Sequence, residues 1–373
     1  MTDNAINLHD VSFITLPYRL MIKHTRIILV LYSVIVLSAC TGAAYYRQSI
    51  AGHLELVRAS RPVSEILADE TESESLKARL STAMNIRDFS REELYLPVGD
   101  SYVNYVDTGR SFVLWNVVAT PEFSMTPQQW CYPVIGCLSY RGYFSRQEAE
   151  KYAGELSGLG YDVHIAGVTA YSTLGWFDDP LVNTMLKFDD IFLAKVMFHE
   201  MAHQLLYFRD DTEFNEAFAD AVAEFGVNKW LLQQGQQDRI ADFETSQVRQ
   251  SEFYQLVNEY QEKLTSLYMS DRHEDEMRAA KVDIFRQMKA DYNWLKIQWH
   301  GQGIYDSWFD NPMNNAKLAL VLTYRDLVPL FSSLFSQNQD DPQRVYHQVR
   351  ALENCSREDR RNFLQLGKIP AEC

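Results

Sequence analysis

The chain has 373 residues, 46% of them hydrophobic, 13% aromatic and 23% charged, with a formal net charge of −15. That much apolar side chain must be buried, which excludes disorder over most of the length, and so acidic a balance leaves little to neutralise phosphates, which excludes a nucleic-acid partner. Ile27–Ala39 is the one long apolar run; it is too short to span a bilayer comfortably, so a helical transporter is excluded as well.

Taken in chain order, Lys23, His24 and Arg26 precede that run, and Ser38-Ala39 close it before Cys40. A positive flank, a short apolar core and small residues at a cleavage point make 1–39 an export signal. Asp3 and Asp10 are foreign to such a flank, so Met21 is a candidate start. Leu37-Ser38-Ala39-Cys40 resembles the lipobox of bacterial lipoproteins. The resemblance implies that Cys40 carries lipid, that residues 40–373 face the periplasm from a membrane anchor, and, because Thr41 is not aspartate, that the membrane is the outer one. An uncleaved signal anchor is the alternative.

With Cys40 lipidated, four of the five cysteines remain in an oxidising compartment. Cys131 and Cys137 flank a turn-rich stretch, and Cys355 and Cys373 bracket the C-terminal tail, so two local disulfides are expected. Buried free thiols or the crossed pairing are the other readings.

Residues 43–90 are helical in pattern, with a break at Arg61-Pro62 and a charged second helix from about Ser73 to Phe89. Residues 100–170 carry the strand signals, at Tyr102–Val106, Phe112–Val118, Leu138–Phe144 and Tyr161–Ile165. A helix over Arg146–Leu159 sits among them and ends at Gly160. Gly158-Leu159-Gly160 lacks the further glycines and lysine that a phosphate loop needs. From 190 to 352 the pattern is helical, with a long helical hairpin over 236–296 whose charges read as a solvated face, or as a guard over the cleft or a partner contact. The expected fold is one α+β domain, a small mixed or antiparallel sheet beside a mostly helical part.

The chemistry lies on the apolar helix Ile191–Tyr207. His199 and His203 are four apart and share one face, with Glu200 between them. This HExxH spacing lets two imidazoles hold one Zn2+ while the glutamate reaches its water. Zinc lowers that water's pKa to about 7, and Glu200 takes the proton as general base. The third ligand comes from a second helix that Thr212 is placed to cap, on which Glu213, Glu216 and Glu224 compete. Glu213 suits the helix dipole instead, and Glu224 is rotated by about 80° from Glu216.

Asn215-Glu216-Ala217-Phe218-Ala219-Asp220 resembles the glutamate-donating helix of gluzincins. The resemblance implies Glu216 as third ligand and Asp220, one turn on, as the group that orients a histidine ligand. Twelve residues separate His203 from Glu216, fewer than in the familiar gluzincins, so a tight turn over Phe208–Asp211 is expected.

More widely, the chain resembles the bacterial predicted aminopeptidases, zinc metallopeptidases that are often lipoproteins. The resemblance runs from about Cys40 to Arg350, on Phe112–Ser124, Trp130–Phe144, Ala170–Pro180, the HExxH helix, Asp211–Trp230, Trp308–Ala316 and Thr323–Pro329. It implies zinc-dependent hydrolysis of peptides from their amino end; an endopeptidase of the same mechanism and a non-catalytic zinc-binding envelope protein are the alternatives. By likeness to gluzincins, Tyr171–Pro180 lays out the substrate backbone, or is simply a packed aromatic turn. Tyr171, Tyr324 and His300 are candidates for the oxyanion donor, and Asp178 and Asp179 for the carboxylate that holds an α-amine. The expected partners are a peptide substrate and, through Cys40, a membrane.

Overall fold

The computed structural model describes residues 45–132, 136–170, 172–173, 177–209, 211–322 and 327–367. The expected signal peptide, Cys40, Tyr171, Tyr324 and Cys373 lie outside the described residues. Two compact units divide the chain, 1–53 and 54–373. In the first, residues 45–53 are helical. Everything below concerns the second.

Proline has no N–H and a fixed φ, so the early helical run stops at β1 (Arg61–Pro62) and resumes as α1 (Val63–Ala68) and α2 (Glu74–Glu92). The Ser73 side chain caps α2 by accepting from Leu76 N at 3.2 Å. β1 pairs antiparallel with β2 (Asn104–Val106), which pairs parallel with β8 (Leu181–Val182). β1 and β8 have two residues each, too few for an alternation to be legible in sequence.

A second sheet has the order β6-β3-β7, all antiparallel. It joins β3 (Leu114–Pro121), β6 (Arg141–Tyr143) and β7 (Tyr161–Val168), and α3 (Arg146–Gly158) connects β6 to β7. β4 (Trp130–Tyr132) and β5 (Gly136–Leu138) form a hairpin in which Cys131 faces Cys137, and the two are joined by a disulfide. Cys355 is buried.

The helical part begins with α4 (Asp190–Leu205) and α5 (Thr212–Gln233), then the long pair α6 (Gln237–Tyr268) and α7 (Glu274–Gln298). Among the described residues, five shorter helices follow: α8 (Asp306–Asp310), α9 (Asn315–Leu322), α10 (Val328–Gln337), α11 (Pro342–Arg350) and α12 (Arg357–Leu366). The α6–α7 hairpin has a buried face as well as its charged one. Phe253, Val257, Tyr260 and Leu264, spaced by three or four, meet Phe285, Met288 and Tyr292 in a core of their own.

The Trp308–Ala316 stretch docks this hairpin onto the sheet. Asn314 Nδ2 donates to Val163 O at 2.9 Å, and Asn315 Nδ2 to Glu122 O at 2.9 Å. Lys281 Nζ lies 2.6 Å from Asp162 Oδ2, which also accepts from Asn315 N. The amides therefore satisfy strand-end carbonyls that packing would otherwise bury unpaired.

α4 and α5 are the spine of the larger core. A Cβ on Gly226 would stand 2.7 Å from Phe198 Cδ2 and from Leu94 Cδ1. Only glycine allows this approach, which brings the two helices close enough for their side chains to share a site.

Candidate metal centre

Asp189 opens α4 by accepting from Phe192 N at 2.8 Å. The helix is apolar on most sides and buried at Leu193, Ala194, Met197, Phe198, Met201 and Ala202, which leaves one polar strip carrying His199, Glu200 and His203.

The connection to α5 is the expected tight turn, and Asn215 shapes it. Its amide Nδ2 donates to Phe208 O at 2.8 Å, and its Oδ1 accepts from Phe208 N at 2.7 Å. The buried amide thus completes both backbone groups of Phe208, while the Phe208 and Phe214 rings pack edge-on at 5.1 Å. Thr212 does not cap the helix: Asp211 holds the cap position without a side-chain cap bond, and Thr212 is the first helical residue. The Asp211 carboxylate turns to Arg360 of α12, at 2.7 Å.

Of the three competing glutamates, Glu216 reaches the histidines. Glu213 pairs with Arg361, and Glu224 stands 3.3 Å from Lys195 Nζ. Among the described residues, His199, His203 and Glu216 form the cluster whose ligand atoms lie close enough to hold a metal ion. The Nε2 atoms of the histidines are 3.1 Å apart. Glu216 Oε2 lies 3.2 Å from His199 Nε2 and 3.7 Å from His203 Nε2. Ligands about 2.1 Å from a tetrahedral zinc stand roughly 3.4 Å from one another, and the three separations bracket that edge. Donor set and spacing both fit zinc.

Asp220 Oδ1 lies 3.1 Å from His199 Nδ1. Accepting the proton there leaves the Nε2 lone pair turned to the cluster. His203 is 7% exposed, and its Nδ1 has no hydrogen-bond partner among the described residues.

The electrostatics follow from burial and proximity. Burial opposes charge on His199, but its hydrogen bonds to Asp220 and Glu216 outweigh this and its pKa is raised well above the usual value. Burial likewise opposes ionisation of Glu216, yet the two histidines hold its pKa far below the ordinary range. The Glu200 carboxyl is raised, first by burial and further by Glu216, while the histidines pull it down.

Two cavities meet here. One, of about 470 Å³, is lined by Leu138, Tyr140, His203, Thr212 and Glu216. The other, of about 520 Å³, is lined by Ile191, Lys195, Asp220, Phe243 and Ile304. His199, Glu200, Val168 and Ala170 border both. The end of β7 and the residues after it therefore run along one wall, past Glu200.

His300 is not brought to this place. It is exposed in the turn after α7, with φ +56°, and borders neither cavity. Asp178 is exposed, whereas Asp179 is 1% exposed. Ser172 and Thr173, which line the first cavity, reach Asp179 Oδ2 at 3.3 and 2.8 Å. Tyr102, which the sequence reading placed at the head of a strand, stands buried near Glu200 instead. Nothing local in sequence marks it, because its neighbours there come from α4 and from Asp179.

A family model described as "Putative aminopeptidase" matches residues 44–364. No curated protein and no solved structure matches the chain.

Proposed function

The chain belongs to this aminopeptidase family, and from that membership we propose that it is a zinc-dependent peptidase in which His199, His203 and Glu216 hold the metal and Glu200 is the general base. One observation carries the reading: three donor atoms converge at tetrahedral-edge separations beside a glutamate that opens on both cavities. A structural zinc site is closed by a fourth protein ligand and has no use for a base.

When bound, zinc supplies Lewis acidity, bringing the pKa of a water to about 7 and polarising the peptide carbonyl. Asp220 keeps the His199 ring in the tautomer that presents Nε2. Glu200 opens on both cavities, so its carboxylate is available to take the proton of the attacking water. It then returns that proton to the leaving amine nitrogen.

A second reading, cleavage within chains, is favoured by the two cavities. They flank Glu200 on both sides, which leaves room for peptide on either side of the scissile bond. The Cys131–Cys137 disulfide fits an oxidising compartment, and we place the protein at the outer membrane, anchored through lipid on Cys40 and facing the periplasm. Among the described residues no helix is long and apolar enough to cross a membrane.

The test combines metal analysis with two substrate sets, aminoacyl anilides and internally quenched peptides with free or blocked amino ends. Glu200→Gln keeps zinc and loses cleavage; Glu216→Ala loses zinc. Cleavage of blocked peptides alone makes the enzyme an endopeptidase. Bound zinc with no cleavage of any substrate refutes the catalytic reading in favour of a binding protein.

A further inference from the structure

Beside Glu200 lies a buried polar cluster that the chemistry above does not use. Tyr102 and Asp179 are each 1% exposed. The turn that carries Tyr102 is tied down from behind: buried Arg87 donates from Nε to Ser101 O at 2.8 Å and from Nη2 to Gly99 O. Tyr102 N donates to Asp179 O at 2.7 Å, which joins this turn to the segment before β8. The backbone of Tyr102 is left-handed, φ +66°, a conformation that a bulky residue adopts only when its surroundings impose it.

The side chains end without partners. The Tyr102 hydroxyl and Asp179 Oδ1 are both buried, and neither has a hydrogen bond among the described residues. Asp179 is aligned by its other oxygen, on Thr173 N and Ser172 Oγ. The neighbouring face of α4 is the one that bears Glu200. Gln204, one turn beyond Glu200 on the same face, donates to Ser101 Oγ at 3.3 Å. Burial first, and then the charge of Glu200, raise the Tyr102 phenol well above its usual pKa, so it keeps its proton and remains a donor. Burial and the same charge push Asp179 up to about 6.

We propose that Tyr102 and Asp179 are positioning residues for Glu200, holding its carboxylate toward the cleft through one internal water. The phenol donates to that water, which donates in turn to Asp179 Oδ1 and to Glu200. The two buried groups are satisfied and tied to the base at once. A strained turn and an otherwise unpaired buried acid are costly features, and this arrangement gives both a use. The inference rests on the reading of Glu200 as the base.

The experiment uses the full chain, loaded with zinc and also stripped of it. Tyr102→Phe removes one hydroxyl and Asp179→Asn one charge, with little change in shape. Each is expected to lower kcat roughly 10- to 100-fold, the range for a hydrogen bond to a charged group, with KM and zinc content unchanged. The double variant falls no further than the worse single one, because both act through one water. In the zinc-free protein, Tyr102→Phe shifts the melting temperature of the wild type more than that of Glu200→Gln, whose amide accepts from the water without the charge, a difference that a role in packing would not produce. Wild-type kcat in zinc-loaded Tyr102→Phe, or equal melting shifts in the two backgrounds, overturns the proposal alone. A wild type that cleaves no peptide overturns the reading of Glu200 and this proposal with it. Should Tyr102→Phe fail to fold, Asp179→Asn gives the same kinetic test.

Discussion

Replacing Arg360 by methionine should unsettle the metal site from a distance. Arg360 is 5% exposed, and its guanidinium donates to Asp211 Oδ2 through Nε at 2.8 Å and to Cys355 O at 2.7 Å. It also lies 4.9 Å from the centre of the Phe208 ring. Asp211 is 2% exposed and stands at the head of α5, just ahead of Glu216. Methionine keeps most of the volume but leaves Asp211 charged and buried. Removing one partner of such a pair costs about 3–5 kcal/mol, equivalent to a fall of roughly 6–10 °C in melting temperature at about 2 °C per kcal/mol. Arg361 remains 3.7 Å from Asp211, but it is also engaged by Glu213 and its side chain is 30% exposed. Arg361→Met is therefore the control, expected to cost under about 1 kcal/mol. Calorimetry of both variants, with a chelator competition for zinc, tests the point. Arg360→Met should melt lower and hold zinc more weakly, and adding Asp211→Asn should recover more than half of the lost stability. If the two arginine variants melt within a degree of each other, the clamp is not what holds the turn.

Asp220→Ala should weaken zinc binding by about 10- to 100-fold, the usual effect of losing a histidine's outer partner. Glu224→Ala should leave zinc affinity unchanged, because Glu224 pairs with Lys195 and not with the histidines; a competitive chelator titration compares them. Asn215→Ala strands the N–H and C=O of Phe208 and should destabilise by roughly 2–4 kcal/mol, with loss of zinc, as read by urea unfolding and metal analysis. The pKa of Asp179 is raised by burial from 3.8 to about 6. Its contribution to stability is thus fully present below about pH 4 and lost as pH rises through 6. Asp179→Asn should gain on the wild type by up to about 3 kcal/mol above pH 7 and by little at pH 4. A gain that is the same at both pH values would refute that assignment.

The pair His199 and His203 with Glu200 was legible because helical periodicity fixes which side chains share a face, whatever the helix packs against. The disulfide partners Cys131 and Cys137 were legible for a like reason, since they act within a few residues of each other. The hairpin over α6 and α7 was legible in extent but not in its buried face, because Phe253, Val257, Tyr260 and Leu264 are sparse among charges and acquire meaning only when Phe285, Met288 and Tyr292 come opposite.

Choosing among Glu213, Glu216 and Glu224 was a different problem. The helix dipole set Glu213 aside and helical rotation set Glu224 aside, and the resemblance to gluzincins pointed to Glu216. The packing of α5 on α4, permitted by Gly226, decides which carboxylate arrives within 3.2 Å of His199. The role expected of Thr212 failed because Arg360, 149 residues from Asp211 along the chain, recruits the side chain that precedes it. Tyr102 and Asp179 belong to the same class: in sequence Tyr102 reads only as part of a strand and Asp179 only as a candidate for holding an α-amine, and each lies near Glu200 only after three separate segments have packed. Sequence by itself determined the chemistry the α4 helix can offer, because that chemistry repeats with the helix turn. Tertiary structure alone decided the third donor, the clamp behind it and the buried groups around the base, because those depend on distances that no local pattern encodes.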